Sequence, residues 1–149
     1  MSDAASVTIT RQDKYRFLVD FGGSADIAQM QADEPVPLGD GAGPSPSQLL
    51  AAAVANCLCA SLVFAHGKFH EDPGRLMATA TCEFGRNENH RRRVTGMNIA
   101  ITLGVAPEQL RHLDRALAQF EDFCTVSQSV RSGIPFTVSV RGPDGRVLK

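Results

Sequence analysis

Cysteine offers this chain its widest choice of chemistry, and there are four, at positions 57, 59, 82 and 124. A thiol becomes a nucleophile and a redox centre once it ionises, and its surroundings decide whether it does. The spacing shows no regular disulfide framework, and in a reducing compartment such residues are most often small buried hydrophobes. Cys57 and Cys59 stand two residues apart in a helical run, so they point about 200° apart and do not act as one site on one face. Cys59 lines up with Ala55, Leu62 and Val63 as a packed side chain, whereas Cys57 follows Asn56 on the turn above Ala53. Cys124 stands just before Thr125-x-x-Gln128, a capping box that starts a short helix ending at Gly133. Free backbone N–H groups and the helix dipole favour an anion there, which would draw a thiol below its ordinary value of about 8.5. The plain alternative is a thiol that merely ends one helix, and the residues alone weigh the two about equally.

Other groupings carry less. Gly39-Asp40-Gly41-Ala42-Gly43 precedes a helix and could cradle a phosphate, but a lone glycine pattern beside Asp40 and prolines is a weak signal. Cys57, Cys59, His66 and His70 lack zinc-ligand spacing, so no metal is expected. His90-Arg91-Arg92-Arg93 reads as a solvated hairpin end, and Gly43-Pro44-Ser45-Pro46-Ser47 lacks the pattern of a serine-hydrolase elbow. His112, between Arg111 and Asp114's turn, reads as a surface residue.

Elements able to position the thiols follow from periodicity. Val7 to Thr10 and Tyr15 to Phe21 are strand candidates joined by the polar turn Arg11-Gln12-Asp13-Lys14, with Gly22-Gly23 ending the second. The stretch from Asp33 to Pro46 is a loop rich in proline and glycine. Ser45 as N-cap, Pro46 as first residue and Gln48 as third open a helix, and from Leu49 to Ala65 no residue is charged. That run is slightly shorter than a membrane span of about 18 or more apolar residues and is rich in alanine. It reads as a helix buried on all sides, ending near Gly67 and Lys68. Leu76 to Phe84 and Val94 to Leu103 form a strand pair, with Leu76, Ala78, Ala80, Cys82 and Phe84 on one face and Met97, Ile99, Ile101 and Leu103 on one face. Pro107 opens an amphipathic helix bearing Leu110, Leu113, Leu117 and Phe120, and Ile134 to Val140 is a last strand. The class is α+β, mostly antiparallel sheets around a long buried central helix, in a single domain over residues 1–149.

Composition fits that class. At 149 residues, with 43% hydrophobic and 21% charged residues, the chain resembles an ordinary soluble domain. A formal charge of −1 gives no broad attraction for nucleic acid or anionic lipid, so neither is an expected partner. Met1 to Ser6 is short and polar, which points away from a secretory signal and towards a cytoplasmic location.

The residues also carry a resemblance. Gly43-Pro44-Ser45-Pro46-Ser47-Gln48-Leu49-Leu50-Ala51-Ala52-Ala53, with Cys57 eleven residues past Pro46, resembles the first motif of the OsmC/Ohr family, and Cys124-Thr125-Val126-Ser127 resembles its second. Membership implies an intertwined homodimer in which the two cysteines meet near the interface. It implies reduction of organic hydroperoxides, with Cys57 attacking the peroxide and Cys124 condensing with the resulting sulfenic acid to a disulfide. A dithiol, lipoylated in some members, then reduces that disulfide, and no cofactor is implied. Two features depart from the dedicated peroxidases of the family, so the chain looks closer to the broad OsmC-like group. Ser47 stands where they hold a Glu, ten residues before the first cysteine, and Gly22-Gly23-Ser24-Ala25-Asp26 offers no Arg. Arg11 or Arg16, with Glu34, are the candidates to take those roles in space. Three functions therefore enter: a thiol-dependent peroxidase, a non-catalytic module binding a small apolar ligand, and a redox sensor.

Overall fold

A computed structural model describes residues 4–23 and 26–149; Met1 to Asp3, where the leader reading begins, and Ser24 and Ala25, within the stretch searched for an Arg, lie outside the described residues. The chain divides into two units, Met1–Leu49 and Leu50–Lys149.

The first unit is a three-stranded antiparallel sheet in the order β1-β2-β3, with β1 Thr8–Asp13, β2 Arg16–Asp20 and β3 Met30–Ala32. The first hairpin is tighter than its polar residues suggest. Strand β1 runs on to Asp13, and Lys14 takes the left-handed turn position at φ 45°. Strand β3 has three residues, too few to show an alternation, and it is absent from the sequence reading for that reason. The loop that follows folds around its own carboxylate. Asp33, 2% exposed, accepts the N–H groups of Glu34 at 2.8 Å, Asp40 at 3.2 Å and Ala42 at 3.0 Å. A Cβ on Gly43 would stand 2.2 Å from the Gln31 carbonyl oxygen, so that glycine serves close backbone packing. The N–H groups of Asp40 and Ala42 are thus taken by Asp33, and those of Gly39 and Gly41 by the Pro35 and Glu34 carbonyls, so a phosphate would find these donors already committed.

Helix α1, Pro46–Gly67, starts as its sequence dictates. Gln48 Oε1 accepts the Ser45 N–H at 2.8 Å and Ser45 Oγ accepts the Gln48 N–H at 3.3 Å, a reciprocal capping box. The helix is long and apolar enough to cross a membrane by length and composition, yet 44% of its 18-residue apolar stretch is buried in the fold. Val54, Leu58 and Leu62 are at 0% exposure and pack with Ile99, Ile101, Phe120 and Val140 in the core of the second unit. The expectation of burial on every side is corrected here: Val63 is 47% and Phe64 56% exposed, and Ala52, Ala53, Asn56 and Ala60 also face outward. One stripe of an α-helix fills the contact a single sheet provides, which leaves the opposite face uncovered.

Strands β4, Met77–Arg86, and β5, Arg92–Thr102, pair antiparallel, and β6, Phe136–Arg141, joins β5 in parallel. Met97, Ile99, Ile101 and Leu103 are buried on one face as the alternation requires. Phe84 continues the β4 alternation, but a bulge in the partner strand, where β5 passes from Gly96 to Val94, leaves its ring 44% exposed near the end of the pair. A parallel partner cannot be reached by a hairpin, so the chain crosses over between β5 and β6, and that crossover carries Cys124. The continuous helix expected after Pro107 is replaced by three pieces. These are a 3-10 turn at Pro107–Gln109, helix α2 at Leu113–Gln119 and a second 3-10 turn at Phe120–Phe123, and helix α3 then spans Thr125–Arg131. Leu110 is extended at φ −113° and ψ 97°, which ends the first turn.

Candidate thiol site

Cys124 owes its position to two caps: it closes the Phe120–Phe123 turn, where its N–H donates to the Glu121 carbonyl at 3.1 Å, and it opens α3. It is the N-cap of α3, with extended dihedrals of φ −86° and ψ 98°, and its Sγ accepts the Ser127 N–H at 3.4 Å. Its carbonyl accepts the Gln128 N–H at 3.0 Å and the Ser127 hydroxyl at 3.4 Å. The capping box expected one residue later is therefore not made. Cys124 takes the cap, and the Gln128 side chain instead donates to the Glu121 carbonyl at 3.1 Å. Cys124 is at 0% exposure, fixed between the α1 stripe and the crossover.

Cys57, half-buried on α1, meets this cap. Its thiol stands near enough to the Cys124 thiol and to the backbone N–H groups of Val126 and Ser127 for each to act on its ionisation. Burial pushes the Cys57 thiol up, and the Cys124 thiol beside it adds to the rise; the two amides pull the other way and do not overcome it. The resting thiol thus holds its proton more tightly than a free cysteine, and the α3 amides stand ready for the anion once the proton leaves. None of the four cysteines is in a disulfide. Cys59 and Cys82 pack against the core from α1 and from β4, and burial pushes both up.

The proposed supporting residues belong to the first unit. Arg16 stands 3.4 Å from Asp40 through Nη2, its charge helps hold the Asp33 carboxyl low, and its buried Nε has no hydrogen-bond partner. Lys14 shares Asp40 at 3.1 Å, and the Arg11 Nε–H donates to the Lys14 carbonyl at 2.8 Å. Glu34 is half-buried and contributes backbone to the Asp33 loop, and Ser47 is the second residue of α1. The groups acting on the Cys57 thiol are Cys124, Val126 and Ser127. The last two were missed as site residues because their part is played by the backbone, which the side-chain types do not reveal.

An aromatic pair adjoins the cysteine-bearing elements. Phe64, seven residues beyond Cys57 on α1, meets Phe123, the neighbour of Cys124, edge to face at 5.2 Å. The Lys68 ammonium lies 4.2 Å from the Phe123 ring centre. His112 is more than a surface residue: at 41% side-chain exposure it stacks on Phe69 with ring centres 4.4 Å apart and bonds to Glu71.

With the fold and the thiol pair in place, comparison with known proteins is informative. The family described as OsmC-like protein matches residues 39–139, a span that contains α1, Cys57, Cys124, β4 and β5 and ends within β6. The chain belongs to the OsmC-like family. No functionally curated protein matches it. Among solved structures, this OsmC-like chain is similar to a Psychrobacter arcticus protein assigned to the osmotic-stress and detoxification response, with TM-score 0.76, 22% identity and coverage of 95% of this chain and 98% of that one. It is similar to an organic hydroperoxide resistance protein OsmC from Legionella pneumophila, with TM-score 0.70, 14% identity and coverage of 92% and 96%. It also resembles the organic hydroperoxide resistance protein OhrB of Bacillus subtilis, with TM-score 0.67, 16% identity and coverage of 93% and 98%. These similarities establish an α+β fold around a long central helix for the OsmC-like chain.

Proposed function

We propose that this OsmC-like protein reduces organic hydroperoxides through Cys57 and Cys124, as part of oxidative-stress defence. The observation that carries the reading is the contact of the two thiols at the amide-lined start of α3. The names of the Legionella and Bacillus relatives point to the same substrate class. The Cys57 thiolate attacks the outer peroxide oxygen, the O–O bond breaks, and the alkoxide leaves as an alcohol after taking a proton. Cys57 is then a sulfenic acid. The Cys124 thiol displaces its hydroxyl as water and forms the disulfide, and an external dithiol returns both thiols. The Val126 and Ser127 amides stabilise the negative sulfur, and Phe64 with Phe123 offers an apolar surface to the alkyl group.

The reading includes a homodimer. Val63, Phe64 and the outward alanines of α1 make an uncovered apolar face on the element that carries Cys57, and a second copy covers it most economically. The expected location is cytoplasmic, and the expected reductant a dithiol, lipoylated or free. The raised Cys57 thiol, with Arg16 committed to Asp40, favours slow turnover. That same observation supports a second reading as a redox sensor, in which the disulfide itself is the signal.

Stopped-flow oxidation with an alkyl hydroperoxide, with and without a recycling dithiol, tests the proposal. Dithiol-dependent turnover lost in Cys57→Ser supports the peroxidase. A single oxidation without turnover supports the sensor, and equal rates in wild type and Cys57→Ser remove both.

A further inference from the structure

A second group of titratable side chains gathers at the end of α1, nine residues and about 14 Å of helix rise beyond Cys57. His66 is at 0% exposure, and neither ring nitrogen has a hydrogen-bond partner. Its Nδ1 stands 3.5 Å from Glu71 Oε2. Glu71 Oε1 bonds with His112 Nδ1 at 3.0 Å and accepts the His112 backbone N–H at 3.2 Å. Helix α2 has no cap from His112's own side chain, so the Glu71 carboxylate does that work from 41 residues away in sequence. The charged groups facing His66 are Glu71 and Asp72, both from the α1–β4 connection. Those facing Glu71 are His66 from α1 and His112 at the start of α2, joined by the Arg111 N–H. Among the described residues no group of three or more such side chains is arranged to hold a metal ion.

We propose that His66, Glu71 and His112 form an acid-released latch that ties the end of α1 to the start of α2. At neutral pH the His66 ring is uncharged and suits its fully buried position, while charged Glu71 holds the first turn of α2. When His66 takes up a proton, its Nδ1–H can meet Glu71 but its Nε2–H has no acceptor, and a charged ring so placed is costly. The cheaper arrangement swings the connection outward, hydrates the ring and withdraws Glu71 from His112. The sign follows from burial, which pushes His66 below the ordinary imidazole value. The open form therefore binds the proton first. Opening is suppressed above about pH 6.5 and grows below it, by up to tenfold per pH unit. Glu71 is held low by its donors and keeps its charge through this window. Helix α2 leads through Phe120–Phe123 to Cys124, so the loosened segment is the one that delivers the buried thiol. The latch does not depend on peroxidase chemistry.

Amide hydrogen exchange on the full chain from pH 7.5 to 5.0, corrected for the intrinsic rate, tests it. Protection across residues 66–72 and 110–119 should fall by up to about tenfold per pH unit below pH 6.5 in the wild type. It should stay flat in His66→Phe, which fills the ring's space without titrating. Glu71→Gln should lose protection over 110–119 already at pH 7.5. A flat wild-type profile, or an unchanged fall in His66→Phe, overturns the latch. Should His66→Phe fail to fold, the wild-type ring is followed by NMR: a ring neutral while protection is lost supports the latch, and one titrating in the closed form near pH 6.5 overturns it.

Discussion

Glu71 and Cys57 are both half-enclosed acids on the second unit, and the same physics moves them in opposite directions. Burial disfavours the anion at each. Glu71 is bonded to the His112 N–H and the His112 ring, the Arg111 N–H and the His66 ring nearby favour its charge further, and its carboxyl ends below the usual range. Cys57 receives two backbone N–H groups at the start of α3, but its nearest neighbour is another thiol, and it ends above the usual range. Sulfur is a weaker acceptor than oxygen, and a thiol neighbour adds a competing negative charge when it ionises. The carboxylate site is thus built to keep a charge at rest, and the thiol site to acquire one during a reaction. A site of the second kind can serve redox chemistry without a reactive anion standing idle.

The largest effect available is at Cys57. Cys57→Ser should reduce hydroperoxide turnover to the uncatalysed background, while Cys124→Ser should allow one reaction and leave a sulfenic acid that a dimedone-type reagent traps on Cys57. Trapping on Cys124 instead would reverse the assigned roles. Next in size are the packing residues that bring the two thiols together. Phe120→Ala, at a fully enclosed position between α2 and Cys124, should cost about 3–5 kcal/mol in chemical denaturation, and Leu58→Ala about 2–5 kcal/mol. A loss under about 1 kcal/mol at Phe120 would mean the crossover is not held by the core.

The contrast itself is sharpened by pH. Alkylation of Cys57 by iodoacetamide should rise with pH along a curve whose midpoint lies above the value of about 8.5 for a free cysteine, and a midpoint below it would break the comparison. By linkage, a thiol raised in the folded state makes stability fall as pH climbs past the unfolded thiol's value. The lowered carboxyls of Glu71 and Asp33 make stability fall as pH drops below the ordinary carboxylate range. Thermal midpoints should therefore decline at both ends. Smallest of all, Cys59→Ser and Cys82→Ser should each cost about 1 kcal/mol in stability and leave hydroperoxide consumption unchanged, since neither is among the groups that act on the Cys57 thiol.

The sequence by itself determined what depends on near neighbours. Ser45, Pro46 and Gln48 set the start of α1, because a capping box closes within four residues. The alternation through Met97, Ile99, Ile101 and Leu103 determined the buried face of β5, because side chains on a strand must alternate. The cysteine motifs marked Cys57 and Cys124 as a pair only through family likeness, since nothing local ties residues 67 positions apart. Tertiary structure decided the rest. Folding brought Cys57 against the α3 cap, and it moved that cap from Thr125 to Cys124, where the sulfur could accept the Ser127 N–H. Glu71, distant in sequence, fixed where α2 begins, and the parallel pairing of β6 forced the crossover that carries Cys124. Each of these turns on a donor, an acceptor or a strand edge supplied from far along the chain, and periodicity within a short window carries no record of such partners.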